Sequence, residues 1–589
     1  MAMKKTGNWR IGVLAGCVMA VGGAIVLRLF FIQIRGHELY RLLAEQQHGV
    51  AEQLLPKRGT IFFQDRSKRA QDAADISRVP AATQKQGYLA YAIPRLVPKD
   101  SAEPLSQQLA SLLGLDAIVI RQRLEKRSDP YEPLKRKLTD AQAGAMEQLG
   151  VPGIKLAAQI WRQYPAGDLA GSLIGYVNDA NEVQKGLYGI ERAYDAVLAG
   201  KAGYRSAERD ALGGFIPFRI REERPVKDGS SLVLTVDANI QFMALEKLRA
   251  TLKKWKSPGG TMIVLEPTTG KIFAMVSEPS FDPNTYNEVR DVSVFLNSAV
   301  ERVFEPGSVF KPITMAAGLE EKLVTPATTY HDEGIVHIGG YNIQNFDGKA
   351  YGARTMTEVI ELSLNTGVVH VERLLGKDRF TSYVEKFGFG EKLGVDLPGE
   401  LKGSIQNLHQ KAEVNFATAS FGQGISVTPL QMANAIAAIA NGGNLMRPYA
   451  VERIVHADGT VEIVQPNVVR RVLSIQAAKD MTRMMVDAVR GKFERRADVP
   501  GYFVAGKTGT AQIPNPKTGG YLPVEEGVIH SFVGFAPAFA PRFLVFIKMD
   551  RPKGVQFASN SLTPLFHDMA VYLLNYFNVP PDEPTLIVR

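Results

Sequence analysis

The stretch EPGSVFKP, residues 305–312, raises the first question of this sequence, because it places a serine three residues before a lysine, directly after proline and glycine. Residues three apart are neighbours on a helix, so the hydroxyl of Ser308 and the amine of Lys311 could share one site. The plainer interpretation is that Ser308 caps a helix and Lys311 points into solvent. A single S-x-x-K match is common by chance and does not choose between the two.

Two further short motifs follow along the chain, SLN at residues 363–365 and KTGT at residues 507–510. Taken singly, the first could be a loop turn and the second an exposed strand with a solvated lysine. The order S-x-x-K, S-x-N, K-T-G over this length is far more specific than any one motif, and it indicates one catalytic site.

The residue types suit nucleophilic chemistry at Ser308. Its hydroxyl is a poor nucleophile until a base takes its proton, and Lys311 is within reach. A charged lysine cannot be a base, but burial and a second cation, Lys507, would lower the pKa of Lys311 toward neutrality. A helix that starts at the nucleophile leaves the backbone N–H of Ser308 free for a developing oxyanion, and Thr510 would offer a second N–H from a strand edge.

The SLN motif is assigned to proton transfer and to binding of the substrate amide. Ser363 can pass a proton from the lysine to a leaving amine, and Asn365 can hold the lysine or the substrate amide by hydrogen bonds. The sequence predicts no metal and no cofactor for this site.

The KTGT motif is assigned to substrate binding. Lys507, Thr508 and Thr510 present a cation and two hydroxyls, which suit the terminal carboxylate of a substrate. Gly509 argues against an exposed strand, because a glycine inside a strand usually marks the close approach of another backbone. A peptide substrate could pair there.

Composition restricts the function classes. The chain has 589 residues, enough for several domains, and 45% of them are hydrophobic. The net charge is +9, but 69 basic residues are interspersed with 60 acidic ones, so we expect a membrane or an acidic polymer as a partner rather than nucleic acid. Cys17 is the only cysteine, which excludes an intramolecular disulfide and a cysteine-rich metal cluster.

The N-terminal region predicts a membrane anchor over residues 11–34 after a tail of residues 1–10. The run IGVLAGCVMAVGGAIVL carries no charge, and LFFIQI continues it beyond Arg28. A cleaved signal peptide is the alternative, but the apolar run is long and no clear A-x-A site follows. Basic residues flank both ends, so the charge rule leaves the orientation open.

The rest of the chain divides at a stretch rich in charge, proline and glycine, residues 213–229. Residues 35–225 read as short strands and small helices, including a helix with a capping box of Thr139 and Gln142. Residues 226–589 predict an α+β domain. It would open with a strand and a helix capped by Asp237, followed by a hairpin around residues 267–270. Its first and last strands would pair in one antiparallel sheet, the residues between them would form a helical layer holding the first motif, and a closing helix would start at Leu562.

With these motifs the sequence resembles the class B penicillin-binding proteins, membrane-anchored D,D-transpeptidases. The similarity extends to most of the chain and to further segments that are similar to signatures of that family, namely RQYP from Arg162, GLYGIERAYDAVLAG from Gly186, LTVDANIQ from Leu234, SEPSFDPN from Ser277 and SFGQGISVTPLQMA from Ser420.

The resemblance implies a penicillin-binding and serine β-lactamase-like transpeptidase domain on an elongated pedestal. It implies that Ser308 attacks the penultimate D-alanine of a stem peptide, releases the terminal D-alanine and passes the acyl group to an amine on a neighbouring strand derived from lipid-linked precursor. β-Lactams would mimic that donor. It also implies an uncleaved single-pass anchor in the bacterial cytoplasmic membrane, with the N-terminal tail inside and the catalytic domain on the periplasmic side.

The segment VAGKTGTAQ, followed later by a closing helix and NVPPDEP, is similar to the division-specific septal branch of the family more than to the elongation branch. The implied partners are a SEDS-type glycosyltransferase and other division proteins of the membrane, which the pedestal would meet. The chain departs from the family at KRGTIFFQDRSKR, residues 57–69, where R-G-x-I-x-D-R-x-G is common. This departure concerns the pedestal and not the catalytic site.

Other functions remain as alternatives: an elongation-specific transpeptidase, a D,D-carboxypeptidase, a serine β-lactamase, and a nonenzymatic β-lactam sensor or scaffold. ELSLN at residues 361–365 looks like the E-x-x-L-N segment of one β-lactamase class. In those enzymes that segment follows the S-x-N motif, whereas here the same residues would have to serve as both.

Overall fold

The chain divides into two compact units, residues 1–57 with 200–229, and residues 58–199 with 230–589. The computed structural model describes residues 9–30, 49–67, 77–178, 184–209, 215–491, 493–515 and 517–583.

The strands are numbered in chain order. They are β1 Gly49–Leu54, β2 Ile61–Asp65, β3 Ser77–Ala92, β4 Glu132–Leu138, β5 Ile154–Gln163, β6 Tyr176–Asn178, β7 Lys185–Leu187, β8 Gly203–Arg209, β9 Phe215–Arg224, β10 Ser231–Asp237, β11 Gly259–Leu265, β12 Ile272–Glu278, β13 Thr329–Asp332, β14 Ile335–Ile338, β15 Tyr341–Gln344, β16 Gly352–Thr355, β17 Asn444–Met446, β18 Val451–Val455, β19 Val461–Ile463, β20 Val468–Arg471, β21 Ala505–Gln512, β22 Val528–Ala536 and β23 Phe543–Asp550.

The α-helices are numbered in the same way. They are α1 Trp9–Phe30, α2 Ala102–Leu113, α3 Ala117–Leu124, α4 Asp140–Leu149, α5 Gly171–Ile174, α6 Gly189–Ala193, α7 Asp195–Ala199, α8 Ala238–Lys254, α9 Ser298–Glu301, α10 Lys311–Glu320, α11 Met356–Glu361, α12 Asn365–Leu375, α13 Lys377–Lys386, α14 Glu413–Ser420, α15 Pro429–Ala440, α16 Ile475–Arg490, α17 Ala558–Ser561 and α18 Thr563–Tyr576.

The first unit contains α1 and an antiparallel sheet in the order β1-β8-β9. Helix α1 covers most of the predicted anchor, and residues 31–34 of that anchor lie outside the described residues. Among the helices of the described residues, none is both long enough and apolar enough to cross a membrane. The membrane anchor therefore stays a prediction.

The second unit contains a sheet of seven strands in the order β19-β18-β10-β2-β3-β4, with β5 also paired to β3. Strand β10 is central and almost fully buried, and it pairs parallel to β2 and antiparallel to β18. The expectation that this strand joins the sheet of the last strands is wrong. Its apolar run predicts burial on both faces, but it does not specify the partner strands.

A five-stranded antiparallel sheet in the order β12-β11-β23-β22-β21 also lies in the second unit. The pairing of β11 with β23 confirms that strands from the start and the end of the predicted domain meet in one sheet. Apolar side chains of α8 and α18 cover one face, and the helical layer that contains α10 packs on the other. Strand β21, which carries the KTGT motif, is an edge strand of this sheet.

Local sequence signals placed the helix ends correctly. The capping box of Thr139 and Gln142 forms at the start of α4, and Gly150 ends that helix with φ of 57°. The carboxylate of Asp237 accepts the backbone N–H groups of Asn239 and Ile240 at the start of α8. The predicted closing helix is α18.

A buried ion cluster joins the strands and helices that precede the catalytic motifs. Glu191 is fully buried; its Oε2 accepts from Arg58 at 2.6 Å, and its Oε1 accepts from Arg162 Nε at 2.6 Å. Arg162 also donates to the carbonyl of Gly59 at 2.7 Å, and Arg58 pairs with Asp195 at 2.8 Å. The carboxylate therefore compensates two buried guanidinium groups at once.

We expect Glu191→Ala to destabilise this unit by about 3–5 kcal/mol, because Arg162 would remain buried without its counter-charge and Arg58 would keep only its pair with Asp195. Urea unfolding followed by tryptophan fluorescence would show a lower midpoint. The matched control is Glu125→Ala, which removes an exposed carboxylate from its pair with Arg121, and it should leave the midpoint nearly unchanged. Equal midpoints for the two variants would contradict the structural role of the cluster.

Candidate active site

Ser308 lies in a tight turn that precedes α10. A 3-10 turn covers Gly307–Phe310, and the α-helix begins at Lys311. Gly307 has φ of 60°, and its N–H donates to the carbonyl of Gly422 at 3.0 Å. A side chain at Gly422 would meet Gly307 O at 2.3 Å, so only glycine allows the SFGQGIS segment to pack directly against this turn.

The plainer interpretation of the first motif is wrong. Ser308 is not the N-cap of either helical segment, since the N-cap residues are Pro306 for the 3-10 turn and Phe310 for α10, and Ser308 lines a groove. Lys311 is fully buried rather than solvated. Its Nζ donates to the carbonyl oxygen of Ser363 and, at 3.1 Å, to the hydroxyl of Ser363. Among the described residues no hydrogen bond joins Lys311 Nζ to Ser308 Oγ.

The surroundings of Lys311 favour its uncharged form. Burial comes first among the causes, and the charge of Lys507 comes second; together they lower the pKa of Lys311 well below its usual range. The carboxylate of Glu494 opposes this shift. This is the direction that a general base requires, because only an uncharged amine accepts a proton.

The SLN motif connects α11 to α12. Ser363 has φ of 55°, an unusual value for a residue with a side chain, and this turns its carbonyl and hydroxyl toward the same amine. Asn365 is the first residue of α12, and its side-chain amide donates to the carbonyl of Gln344 at 2.8 Å. Asn365 thus fixes strand β15 to the site, and it makes no hydrogen bond to Lys311 in the described part of the chain.

The KTGT motif lies on the edge strand β21, as expected. Thr508 and Thr510 line the groove, whereas Lys507 is fully buried. A methyl group added at Gly509 would meet the hydroxyl of Ser531 at 2.4 Å and the carbonyl of Pro306 at 3.0 Å. The missing side chain at Gly509 therefore leaves room for Ser531 and for the chain's own turn before Ser308. A substrate peptide beside the edge of β21 stays a prediction.

Thr510 is held by the segment that follows β23. Its hydroxyl oxygen accepts from the backbone N–H of Ala558 at 3.1 Å. The cross-strand partner of Thr510 is His530, a buried residue in contact with Ser561 Oγ at 2.8 Å and with the Gln556 carbonyl at 3.2 Å. Burial lowers the pKa of His530 to about 4, so the neutral imidazole holds this segment against the strand.

One buried residue of the site, Glu494, was not predicted from the sequence. Its Oε1 accepts from Lys507 Nζ at 2.5 Å and from the backbone N–H and hydroxyl of Thr508. Lys507 is therefore paired rather than free. Glu494 lies in KFERRADVPG, whose many charges resemble an exposed loop, and no local signal distinguished this acid from its neighbours.

One groove of about 540 Å³ is lined by residues from each of the three motifs. Ser308, Ser363 and Asn365 line it together with Thr508 and Thr510. An aromatic cluster forms part of its wall: the ring of Phe346 makes edge contacts with Phe493 at 5.7 Å and with Phe557 at 5.6 Å. The groove offers room for an extended peptide and an apolar surface beside the nucleophile.

No group of three or more histidine, cysteine, aspartate or glutamate side chains among the described residues could hold a metal ion. The polar groups that line the groove are hydroxyls and amides, and the buried amines of Lys311 and Lys507 lie behind Ser363 and Thr508. Such a set can activate a serine, transfer protons and bind an anion, which are the requirements of acyl transfer.

Comparison with known proteins agrees with this chemistry. Residues 260–570 match the penicillin-binding protein transpeptidase domain, and residues 55–234 match the penicillin-binding protein dimerisation domain. Stage V sporulation protein D of Bacillus subtilis is 33% identical over 91% of this chain and 81% of its own length.

A peptidoglycan D,D-transpeptidase FtsI homolog of Mesostigma viride is 28% identical and covers 100% of this chain and 99% of its own length. Among solved structures, penicillin-binding protein 3 of Mycobacterium tuberculosis complexed with aztreonam superimposes with a TM-score of 0.67 at 26% identity. That alignment covers 90% of this chain and 99% of the other. With both domains matched and the three motifs gathered in one groove, the chain belongs to the class B penicillin-binding proteins.

Proposed function

We propose that this protein is a peptidoglycan D,D-transpeptidase that crosslinks stem peptides through an acyl-enzyme at Ser308. The observation that carries the proposal is the buried amine of Lys311, which is hydrogen-bonded to Ser363 in the groove that Ser308 lines. A relative that spans the whole chain is named a peptidoglycan D,D-transpeptidase, and a structural neighbour is complexed with the β-lactam aztreonam.

In the acylation step, Ser308 Oγ attacks the carbonyl carbon of the penultimate D-alanine. The neutral amine of Lys311 takes the hydroxyl proton, and the backbone N–H groups of Ser308 and Thr510 stabilise the oxyanion. Ser363 Oγ, 3.1 Å from the lysine amine, passes a proton to the nitrogen of the leaving D-alanine. The C–N bond breaks, and an ester to Ser308 remains.

In the transfer step, an amine of a neighbouring stem peptide attacks the ester carbonyl. Lys311 and Ser363 carry the proton from that amine back to Ser308 Oγ, so the enzyme is regenerated and one amide replaces another. Asn365 lies beside Ser363 in the groove, where it orients the substrate amide. Thr508, Gly509 and Thr510 form the strand edge along which the donor peptide lies.

The direct test is to mix the full-length protein with a penicillin and follow its intact mass for several hours. A covalent adduct that persists for hours supports the transpeptidase. An adduct that disappears within seconds with hydrolysed drug would indicate a β-lactamase, and no adduct would indicate a scaffold. A donor peptide with and without an acceptor amine separates crosslinking from carboxypeptidase activity, since a carboxypeptidase yields only the hydrolysed peptide.

We also propose a septal role in cell division, with residues 11–34 as a single-pass anchor in the cytoplasmic membrane and residues 1–10 inside the cell. Residues 35–225 would form the pedestal, and residues 226–589 the transpeptidase domain on the periplasmic side. The partners would be a SEDS-type glycosyltransferase and other division proteins. Depletion in the source organism should give filaments without septa, whereas rounded cells would indicate the elongation branch.

We expect Lys507→Ala to weaken the capture of carboxylate-bearing ligands by about 10- to 100-fold, because the buried Glu494 carboxylate would lose its counter-charge close to the bound ligand. In this variant the carboxylate of Glu494 has lost its pair with Lys507, and it repels the carboxylate of the ligand. The concentration dependence of penicillin acylation measures this effect, with thermal unfolding as a check on folding. An unchanged concentration dependence would make Lys507 a structural residue only.

A further inference from the structure

One carboxylate oxygen in the catalytic groove region is shared by three donors. Glu494 Oε1 accepts from Lys507 Nζ at 2.5 Å, from Thr508 N at 2.9 Å and from Thr508 Oγ1 at 2.7 Å. The side chain is fully buried, and its second oxygen, Oε2, is buried without a hydrogen-bond partner among the described residues. Burial of a charge in this way requires the adjacent cation.

These contacts determine the net charge at the KTGT strand, where the terminal carboxylate of the substrate is expected to bind. Lys507 and Glu494 form an ion pair with both side chains almost completely excluded from solvent. The third ionisable group, Lys311, is held toward its neutral form by burial. The two arginines that follow Glu494, Arg495 and Arg496, are exposed. An incoming carboxylate therefore meets a neutral pair instead of a free cation.

The two threonines of the KTGT motif differ in whether their hydroxyl hydrogen is free to bind a ligand. A threonine hydroxyl has one hydrogen to donate, and Thr508 donates it to Glu494. Thr510 uses its hydroxyl oxygen as an acceptor, for the N–H of Ala558. Within the described part of the chain nothing accepts the hydroxyl hydrogen of Thr510, so that hydrogen is available to a ligand in the groove.

We propose that Glu494 is a specificity-determining positioning residue, which neutralises Lys507 and engages the hydroxyl of Thr508, so that Thr510 becomes the main donor to the terminal carboxylate of the substrate. The proposal rests on the proposed transpeptidase function, because that function places the carboxylate at β21. It predicts that the preference for a carboxylate-bearing ligand over its neutral ester is weaker in this protein than in a variant in which Glu494 has lost its charge.

The test compares a penicillin with its methyl ester, which lacks the negative charge. Dissociation constants are measured by ligand-observed NMR on the full-length protein in a Ser308→Ala background, so that no acylation interferes. Glu494→Gln keeps the size of the side chain and removes its charge. We expect it to increase the preference for the acid over the ester by about tenfold or more, because Lys507 would then face the ligand without a counter-ion.

Three further variants make the result specific. Lys507→Ala should lower the preference for the acid, and the double variant with Glu494→Gln should return it to within about threefold of the parent value, because the charges balance again. Glu452→Gln is the matched control: it removes the charge of another buried glutamate, paired with Lys271 at 2.5 Å outside the groove, and should not change the preference.

An unchanged or lower preference in Glu494→Gln would overturn the proposal. Equal weakening of acid and ester would do the same, since it would show only a structural role. Should Glu494→Gln fail to fold, the threonines test the proposal with Glu494 in place: Thr510→Val should lower the acid preference about fivefold more than Thr508→Val, and the reverse order would refute it. Failure of the proposed function is seen separately, as a parent chain that forms no penicillin adduct.

Discussion

Ser308→Ala should form no covalent adduct with penicillin, a loss of about 10⁶-fold in acylation if a residual rate is measurable, because the variant has no nucleophile to attack the carbonyl. Ser308 lines the groove and is not the N-cap residue of the turn or of α10. Intact mass spectrometry after incubation of the parent and the variant with the drug measures the result directly.

The control for this experiment is Ser404→Ala, at an exposed serine outside the groove. It should form the adduct at the rate of the parent chain. Penicillin attached to the Ser308→Ala protein at the parental rate would refute the assignment of the nucleophile, and peptide mapping of that adduct would identify the residue that reacts instead.

Lys311→Ala should slow acylation by about 10²–10⁴-fold at neutral pH, the usual contribution of a positioned general base. The amine lies against Ser363 in a fully buried position, so its removal also breaks the proton path to the leaving group. Stopped-flow measurement with a chromogenic β-lactam would give the rate constants. Acylation at the parental rate would remove Lys311 from the role of base.

The pH dependence of the acylation rate tests the protonation state in which Lys311 acts. Burial, followed by the charge of Lys507, lowers the pKa of Lys311, so its neutral form is present down to a lower pH than for an ordinary lysine. Since only the neutral amine accepts a proton, acylation by the parent should fall as the pH is lowered through that pKa. Lys311→Ala should lose this limb of the profile.

Two variants guard this interpretation against a change in folding. Lys311→Arg keeps a cation but cannot deprotonate, so it should remain as slow as the alanine variant if the base is what matters. Lys247→Ala removes a partly exposed lysine of α8 that pairs with Asp568, and it should react like the parent. Recovery of the rate in Lys311→Arg would point to a need for positive charge instead of a base.

The parts of the fold that depend on local chemistry could be predicted. The capping box of Thr139 and Gln142 and the cap at Asp237 are formed by residues within three positions of each other, so the sequence contains both partners. The two hairpins of the five-stranded sheet follow from strand patterns joined by short turns. The sheet that strand β10 joins was not predictable, because its partners β2 and β18 come from distant parts of the chain.

The catalytic residues show the same division. The order of the three motifs predicted that Ser308, Lys311, Ser363 and Lys507 belong to one site, because each residue type has a defined role in acyl transfer. The sequence also predicted a close approach at Gly509, but the backbone that comes close is that of Pro306 in the same chain. A missing side chain indicates contact without identifying the partner.

The sequence by itself determined the local elements and the chemical type of the site, since caps, turns and motif spacing are encoded by neighbouring or recognisable residues. The tertiary structure alone decided the electrostatics of that site. Glu494 is an ordinary acid in a charged stretch until folding buries it 2.5 Å from Lys507. Glu494 precedes Lys507 by only 13 residues, but charge pairing depends on distance and on exclusion of water, and both arise only when the chain folds back and the rest of the domain covers the pair.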